Sequence, residues 1–272
     1  MHAYRVAGRG VGPPVVLVHG LGGSANGWVR ILLRLARDFS VVYAVDLPGN
    51  GFSPLPPTGP FTLEQQLEVL HGFCREVVRA PAYVVGNSLG GALSVILAAL
   101  HPEDVAALAL VSPAGGEMTP ESLKELMGVL DVRTTGDAVR LTRRLFHRAP
   151  LLAILFAPEL RRMHATPAVR ALRRHAQERS HIPPEVLARL RAPTLLIWGA
   201  SEKLLPREQL DWYRAHLPRG ARIEVVKGFG HVPQVERPRE LVQRLRDFAR
   251  EAGLLGVDSP VRVSRAGASV RS

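Results

Sequence analysis

The stretch Ala82-Tyr83-Val84-Val85-Gly86-Asn87-Ser88-Leu89-Gly90-Gly91 decides how the rest of the chain is read. A strand-like run, Ala82–Val85, enters a tight turn, and the apolar helical pattern of Ala92–Leu100 begins directly after it. A strand that turns so abruptly into a helix lifts Ser88 above the sheet edge. Such a turn strains the serine backbone and leaves no room for side chains two positions to either side, which accounts for Gly86 and Gly90. The helix beginning behind Ser88 also points its positive end toward whatever reacts there. A bare G-x-S-x-G arises by chance. The strand before it and the helix after it make Ser88 a candidate nucleophile.

Outward from this turn the same alternation continues. Val15–Val18, Val41–Val45, Leu108–Val111, Thr194–Trp198 and Ile223–Val226 are dense in Val, Leu and Ile, and helical patterns separate them. They predict a mostly parallel sheet with helices on both faces. A further strand near Tyr4–Val6 is expected at the sheet edge. Between about Gly115 and Leu190 the strand-like runs stop. Arginines alternate with apolar residues at helical spacing through Leu141–His147 and Val169–Glu178. Pro150, Pro158, Pro167 and the Pro183-Pro184 pair are expected to cut this stretch into short helices. The expected organisation is a core over 1–114 and 191–252, a helical cap or lid over 115–190, and a disordered tail over 253–272, rich in Gly, Ser and Arg.

Two further loops follow strands. Val15–Val18 runs into His19-Gly20-Leu21-Gly22-Gly23, where glycines let backbone N–H groups approach a ligand. The N–H groups of Leu21 and Leu89 are candidates for the two halves of an oxyanion hole. His19 reads as a residue that fixes this loop. Ile223–Val226 runs into Lys227-Gly228-Phe229-Gly230-His231-Val232-Pro233, and His231 alone among the ten histidines sits in such a loop after the candidate nucleophile. It is the candidate general base. An imidazole base needs an acid to hold its tautomer, and Glu202, in the loop after Thr194–Trp198, is the candidate. No histidine pair has metal-ligand spacing, so a metal is not expected, and acyl transfer by a serine, a histidine and an acid requires no cofactor.

Composition bounds the partners. The net charge is +11, yet the excess is arginine spread along the chain without interleaved aromatics, so a nucleic-acid partner is not expected. No apolar run reaches the length of a membrane span, and Met1–Gly12 has no signal-peptide core; stable membrane insertion is not expected, and the expected location is the cytoplasm. The single cysteine, Cys74, excludes an internal disulfide. It shares a helical stripe with Leu63, Leu67, Leu70 and Val77 and reads as core.

With these residues in hand, the chain resembles the α/β-hydrolase superfamily over roughly Val15 to Ala252. The landmarks are His19-Gly20-Leu21-Gly22-Gly23, Asp46-Leu47-Pro48-Gly49-Asn50-Gly51-Phe52-Ser53, Gly86-Asn87-Ser88-Leu89-Gly90-Gly91, Pro193–Pro206 and Gly230-His231-Val232-Pro233-Gln234. The resemblance implies an α/β-hydrolase fold with the cap inserted after the sixth strand of the family's sheet. It also implies a catalytic triad in the chain order Ser88, Glu202, His231. Three departures stand out: Glu202 where the family usually has Asp, Asn50 where its Asp-x-Pro-Gly turn commonly has His, and abbreviated amino-terminal strands. Asp46 and Asn50 read as structural. The implied function is a serine esterase, a carboxylic ester hydrolase acting on a small to medium apolar ester through an acyl-enzyme on Ser88. The alternatives are a hydrolase of carbon–carbon bonds in ring-cleavage dienones, with Arg161, Arg162, Arg173 or Arg174 as carboxylate ligand, an acyltransferase, and a non-catalytic ligand-binding protein of the same fold.

Overall fold

Val15, Val16, Leu17 and Val18 are all fully buried, and successive side chains of a strand point to opposite faces, so this run requires cover on both sides. Val15 and Leu17 join the apolar cluster on one face, Val16 and Val18 the cluster on the other. Each such buried side chain contributes roughly 1.5–3 kcal/mol relative to exposure.

The computed structural model describes residues 1–55, 62–149, 153–178 and 181–256. The strands are β1 (Ala3–Ala7), β2 (Val15–Val18), β3 (Val41–Val45), β4 (Ala82–Asn87), β5 (Val105–Val111), β6 (Thr194–Gly199) and β7 (Arg222–Val226). They form one seven-stranded sheet in the order β1-β3-β2-β4-β5-β6-β7. Only β1 is antiparallel, at the edge; the other pairings are parallel. Every strand expected from the sequence is present, most of them a residue or more longer.

Helices α1 (Val29–Leu35), α2 (Leu63–Phe73), α3 (Leu89–Leu100), α4 (Pro120–Leu130), α5 (Thr135–Leu145), α6 (Ala153–His164), α7 (Pro167–Glu178), α8 (Pro184–Leu187), α9 (Arg207–His216), α10 (Pro233–Glu236) and α11 (Pro238–Glu251) complete the fold. Ile31 and Leu35 of α1 pack with Leu241, Leu245 and Phe248 of α11 on one face of the sheet. Leu70 of α2, Leu93 and Leu97 of α3, and Leu210 and Tyr213 of α9 pack on the other. Helices α4 to α8 lie between β5 and β6 in the chain, in the stretch expected to form a cap.

Two local expectations are corrected. Pro158 does not end a helix but lies inside α6. Its missing N–H leaves the carbonyl of Ile154 without an intrahelical donor; Ile154 is 61 % exposed, so water can replace that bond. Cys74 is buried as expected, and burial, aided by the charge of Asp104, pushes its thiol up to about 12. Val77, however, is exposed, and Val78 is buried in its place. The cause is a π-helical turn over Cys74–Val78, whose wider winding rotates the apolar stripe by one residue.

Leu255 is buried and reaches the position beside Gly12, so the chain packs on the core for a few residues past α11. The expectations for Pro150 and residues 257–272 lie outside the described residues.

Candidate active site

All parallel strands present their carboxyl ends to the same sheet edge, and the loops after β2, β4, β6 and β7 therefore meet there. β2 and β4 are direct neighbours, with Val18 opposite Gly86. The chain leaves β2 toward β3 on one side and returns at β4 on the other. That reversal opens a crevice at the strand ends, the usual ligand position in open α/β sheets.

Ser88 stands at this point between β4 and α3, with φ 55° and ψ −120°, a conformation that L-residues rarely adopt. The turn is held by its backbone: the Ser88 N–H donates to the Val111 carbonyl at 3.1 Å, and its carbonyl accepts from Ala92 at 3.1 Å and Ala114 at 3.0 Å. The flanking glycines are steric requirements. A Cβ on Gly86 would lie 2.3 Å from the Gly90 carbonyl oxygen, and one on Gly90 would lie 2.3 Å from that of Val18. The loop after β2 closes on the same point, since a Cβ on Gly20 would come within 2.9 Å of Ser88 Cβ. Leu21 follows in that loop, and Leu89 opens α3, where a backbone N–H has no intrahelical acceptor.

His19 is buried and held at both nitrogens. Nδ1 meets the Gly20 carbonyl at 2.8 Å, and Nε2 accepts the Leu47 N–H at 3.0 Å, so the ring is the neutral Nδ1–H tautomer. Burial depresses its pKa, outweighing the Gly20 bond and the charge of Asp46. This ring ties the β2 loop to the β3 loop. Asp46 does similar work in the β3 loop, accepting from the N–H groups of Ala25 at 2.7 Å and Phe52 at 3.0 Å. The Asn50 amide donates to the Pro48 carbonyl.

Glu202 and His231 meet in a buried pair. His231 Nδ1 donates to Glu202 Oε2 at 2.9 Å, and both side chains are 3 % exposed. Glu202 Oε1 accepts the N–H groups of Leu204 at 2.8 Å and Leu205 at 3.1 Å. Burial alone raises the carboxyl's pKa, but the charge and hydrogen bond of His231 and the two loop N–H groups outweigh it, so the net shift is downward. With Nδ1 committed to the carboxylate, Nε2 is the ring nitrogen left for proton transfer.

The backbone of His231 is fixed from two directions. Its N–H donates to the carbonyl of Leu145, the last residue of α5, at 2.8 Å, and its carbonyl accepts from Asn87 Nδ2 at 3.0 Å. Asn87 in turn accepts from Gln234 at 3.0 Å, and Glu236 takes the N–H groups of Gly230 at 3.0 Å and His147 at 2.7 Å. The roles of Asn87, Gln234, Glu236 and Leu145 in holding His231 were not read from the sequence. The first stands inside the glycine–serine motif, and Gln234 and Glu236 follow His231 by three and five positions.

Ser88 and His231 line one cavity of about 1490 Å³ between the strand-end loops and helices α4 to α8. Its wall is mostly apolar and includes Leu126, Met127, Leu145, Phe156, Leu172 and Val232. Among the cap arginines singled out in the sequence, only Arg162 lines it, and its guanidinium is paired with Glu159 at 2.6 Å. Arg173 is held by Asp131 at 2.5 Å, and Arg161 and Arg174 are exposed.

At the opposite sheet edge, one ligand atom each from His71, His101 and Glu103 lie within 4.8 Å of one another, a grouping that sequence spacing did not reveal. The two imidazoles stack at 3.5 Å and 14°, so their in-plane lone pairs do not converge on a common point.

Residues 15–244 match the alpha/beta hydrolase family. The chain belongs to that family. It is 28 % identical over 258 residues to Lipase 1 of Psychrobacter immobilis, spanning 90 % of this chain and 79 % of that protein. A bacterial membrane phospholipase A superposes with a TM-score of 0.80 at 27 % identity, covering 93 % of this chain and 86 % of the other. The 2-hydroxy-6-oxo-6-phenylhexa-2,4-dienoate hydrolase of Rhodococcus sp. strain RHA1 superposes with a TM-score of 0.76 at 27 % identity, covering 88 % and 91 %. Membership and these likenesses make the chain a hydrolase. No helix among the described residues is long and apolar enough to cross a membrane.

Proposed function

We propose that the chain is a serine ester hydrolase acting on apolar esters through an acyl-enzyme on Ser88. The observation that carries this reading is the buried His231–Glu202 pair opening, with the strained Ser88, onto one large apolar cavity. His231 Nε2 takes the Ser88 proton as Oγ attacks the ester carbonyl. The N–H groups of Leu21 and Leu89 hold the oxyanion, each worth roughly 3 kcal/mol of barrier. His231 then protonates the leaving alcohol and activates water against the acyl-enzyme, while Glu202 keeps the ring in the Nδ1–H tautomer and stabilises its charged form. Residues 115–190 act as a lid that encloses the acyl chain.

A carbon–carbon hydrolase is the second reading, favoured by the likeness to the dienoate hydrolase. Substrates of that kind carry a carboxylate. In this cavity the one lining arginine from the cap candidates is already neutralised by Glu159, which favours the uncharged ester. The test compares turnover of p-nitrophenyl hexanoate with turnover of a ring-cleavage dienone, using wild type and Ser88→Ala. Ester hydrolysis that is lost in the variant supports the proposal. Preferential dienone cleavage contradicts it.

A further inference from the structure

The cap supplies a buried base that the acyl-transfer chemistry leaves unused. His164, at the end of α6, is 6 % exposed and lines the same cavity as Ser88. Its ring lies directly on Gly22: a Cβ there would fall 2.5 Å from His164 Cε1 and 2.9 Å from either ring nitrogen. Gly22 belongs to the loop that carries Leu21, and Gly20 of that loop abuts Ser88. The imidazole therefore stands beside the backbone to which we assign half of the oxyanion hole.

Its protonation is set by its own helix. Nδ1 lies 3.0 Å from the Leu160 carbonyl, which can only accept, so Nδ1 carries the proton and Nε2 the lone pair. Burial lowers the pKa; the Leu160 bond opposes this, the charge of Arg173 adds to it, and the net shift is downward. The ring is neutral at pH 7. Among the described residues Nε2 has no partner. It is not among the fully buried unpartnered atoms, so it keeps some exposure, and His164 lines the substrate cavity, where a ligand donor can reach it.

We propose that His164 Nε2 accepts a hydrogen bond from a hydroxyl group of the substrate, so that the enzyme selects esters bearing a free hydroxyl near the scissile carbonyl. This rests on the ester hydrolase reading and narrows it. A hydroxyl held there satisfies Nε2 and fixes the ester over the β2 loop. A methyl group in the same place leaves the nitrogen unpaired, the situation in which polar sites discriminate best.

The test uses two matched pairs of soluble esters. One pair, 2-hydroxyethyl hexanoate and propyl hexanoate, differs on the alcohol side; the other, methyl 3-hydroxyhexanoate and methyl 3-methylhexanoate, differs on the acyl side. Wild type is expected to favour the hydroxylated member of at least one pair in kcat/KM. His164→Leu should lower that preference about tenfold, and His164→Gln, which keeps an acceptor, should restore most of it. A purely structural role predicts an equal loss on both members of each pair. Preference ratios in both pairs that stay within about twofold of wild type in His164→Leu overturn the proposal while leaving the ester reading intact. Wild type that hydrolyses none of the four esters overturns both.

Discussion

Replacing Glu202 by Gln keeps the side chain's shape while removing its charge. The amide oxygen can still accept from Leu204 and Leu205, which hold Oε1 at 2.8 and 3.1 Å. The amide NH₂ then occupies the place of Oε2, where the carboxylate accepts from His231 Nδ1 at 2.9 Å. Two donors cannot share that contact. To relieve it, the imidazole must shift its proton to Nε2, the nitrogen that has to accept from Ser88. The electrostatic loss is also calculable. As the imidazolium forms, charge centres ~4 Å apart at an effective dielectric constant of about 20 attract by about 4 kcal/mol. That is about three decades in rate. The tautomer penalty adds to it, and acid-to-amide exchange in a serine-protease triad costs about 10⁴ in kcat. Glu202→Gln should therefore lower kcat by about 10³ to 10⁴ with little change in KM. The assay is steady-state hydrolysis of a short soluble ester, normalised to folded enzyme by circular dichroism. A variant that retains a tenth of wild-type kcat refutes the argument and moves the acid elsewhere.

The cavity wall predicts that kcat/KM rises from acetyl to hexanoyl esters by up to about fourfold per CH₂, measured with p-nitrophenyl esters. Phe156→Asp should flatten that rise, and an acetyl preference in wild type contradicts it. Acid should destabilise the fold in two windows. The lowered pKa of Glu202 means the unfolded chain binds its proton more readily, so this contribution is full above about pH 4.3 and fades as pH falls through the depressed folded value. His19 and His164 are bases with lowered pKa values, so their contribution is full above about pH 6.5 and fades below it. Urea midpoints at pH 8, 5.5 and 4 should fall in that order, and Glu202→Gln should diminish the lower step, to which Asp131, Asp137 and Glu159 also contribute, and leave the upper one.

What the sequence made legible was local. Val15–Val18 and Thr194–Trp198 reveal buried strands because covering both faces demands an unbroken apolar run. Gly86, Ser88 and Gly90 reveal the turn because steric exclusion acts within a few residues. Ser88, Glu202 and His231 were legible as loop residues after strands, since parallel pairing carries every such loop to one edge. Contacts set by packing were not legible. The π-turn that exchanges Val77 for Val78 leaves the composition of its helix unchanged. Asn87 reaches the His231 carbonyl across 144 positions, and Leu145 belongs to a helix whose docking the sequence does not encode locally. His164 was hidden for the same reason, in a helix read as cap and for its arginines alone.

The central claim is that Ser88 is the residue acylated during turnover. Incubation with a fluorophosphonate probe, followed by intact-mass measurement and peptide mapping, addresses it most directly. A single adduct is expected on the peptide containing Ser88, formed in step with loss of esterase activity and absent from Ser88→Ala. An adduct on another serine, or full inactivation with Ser88 unmodified, would contradict it.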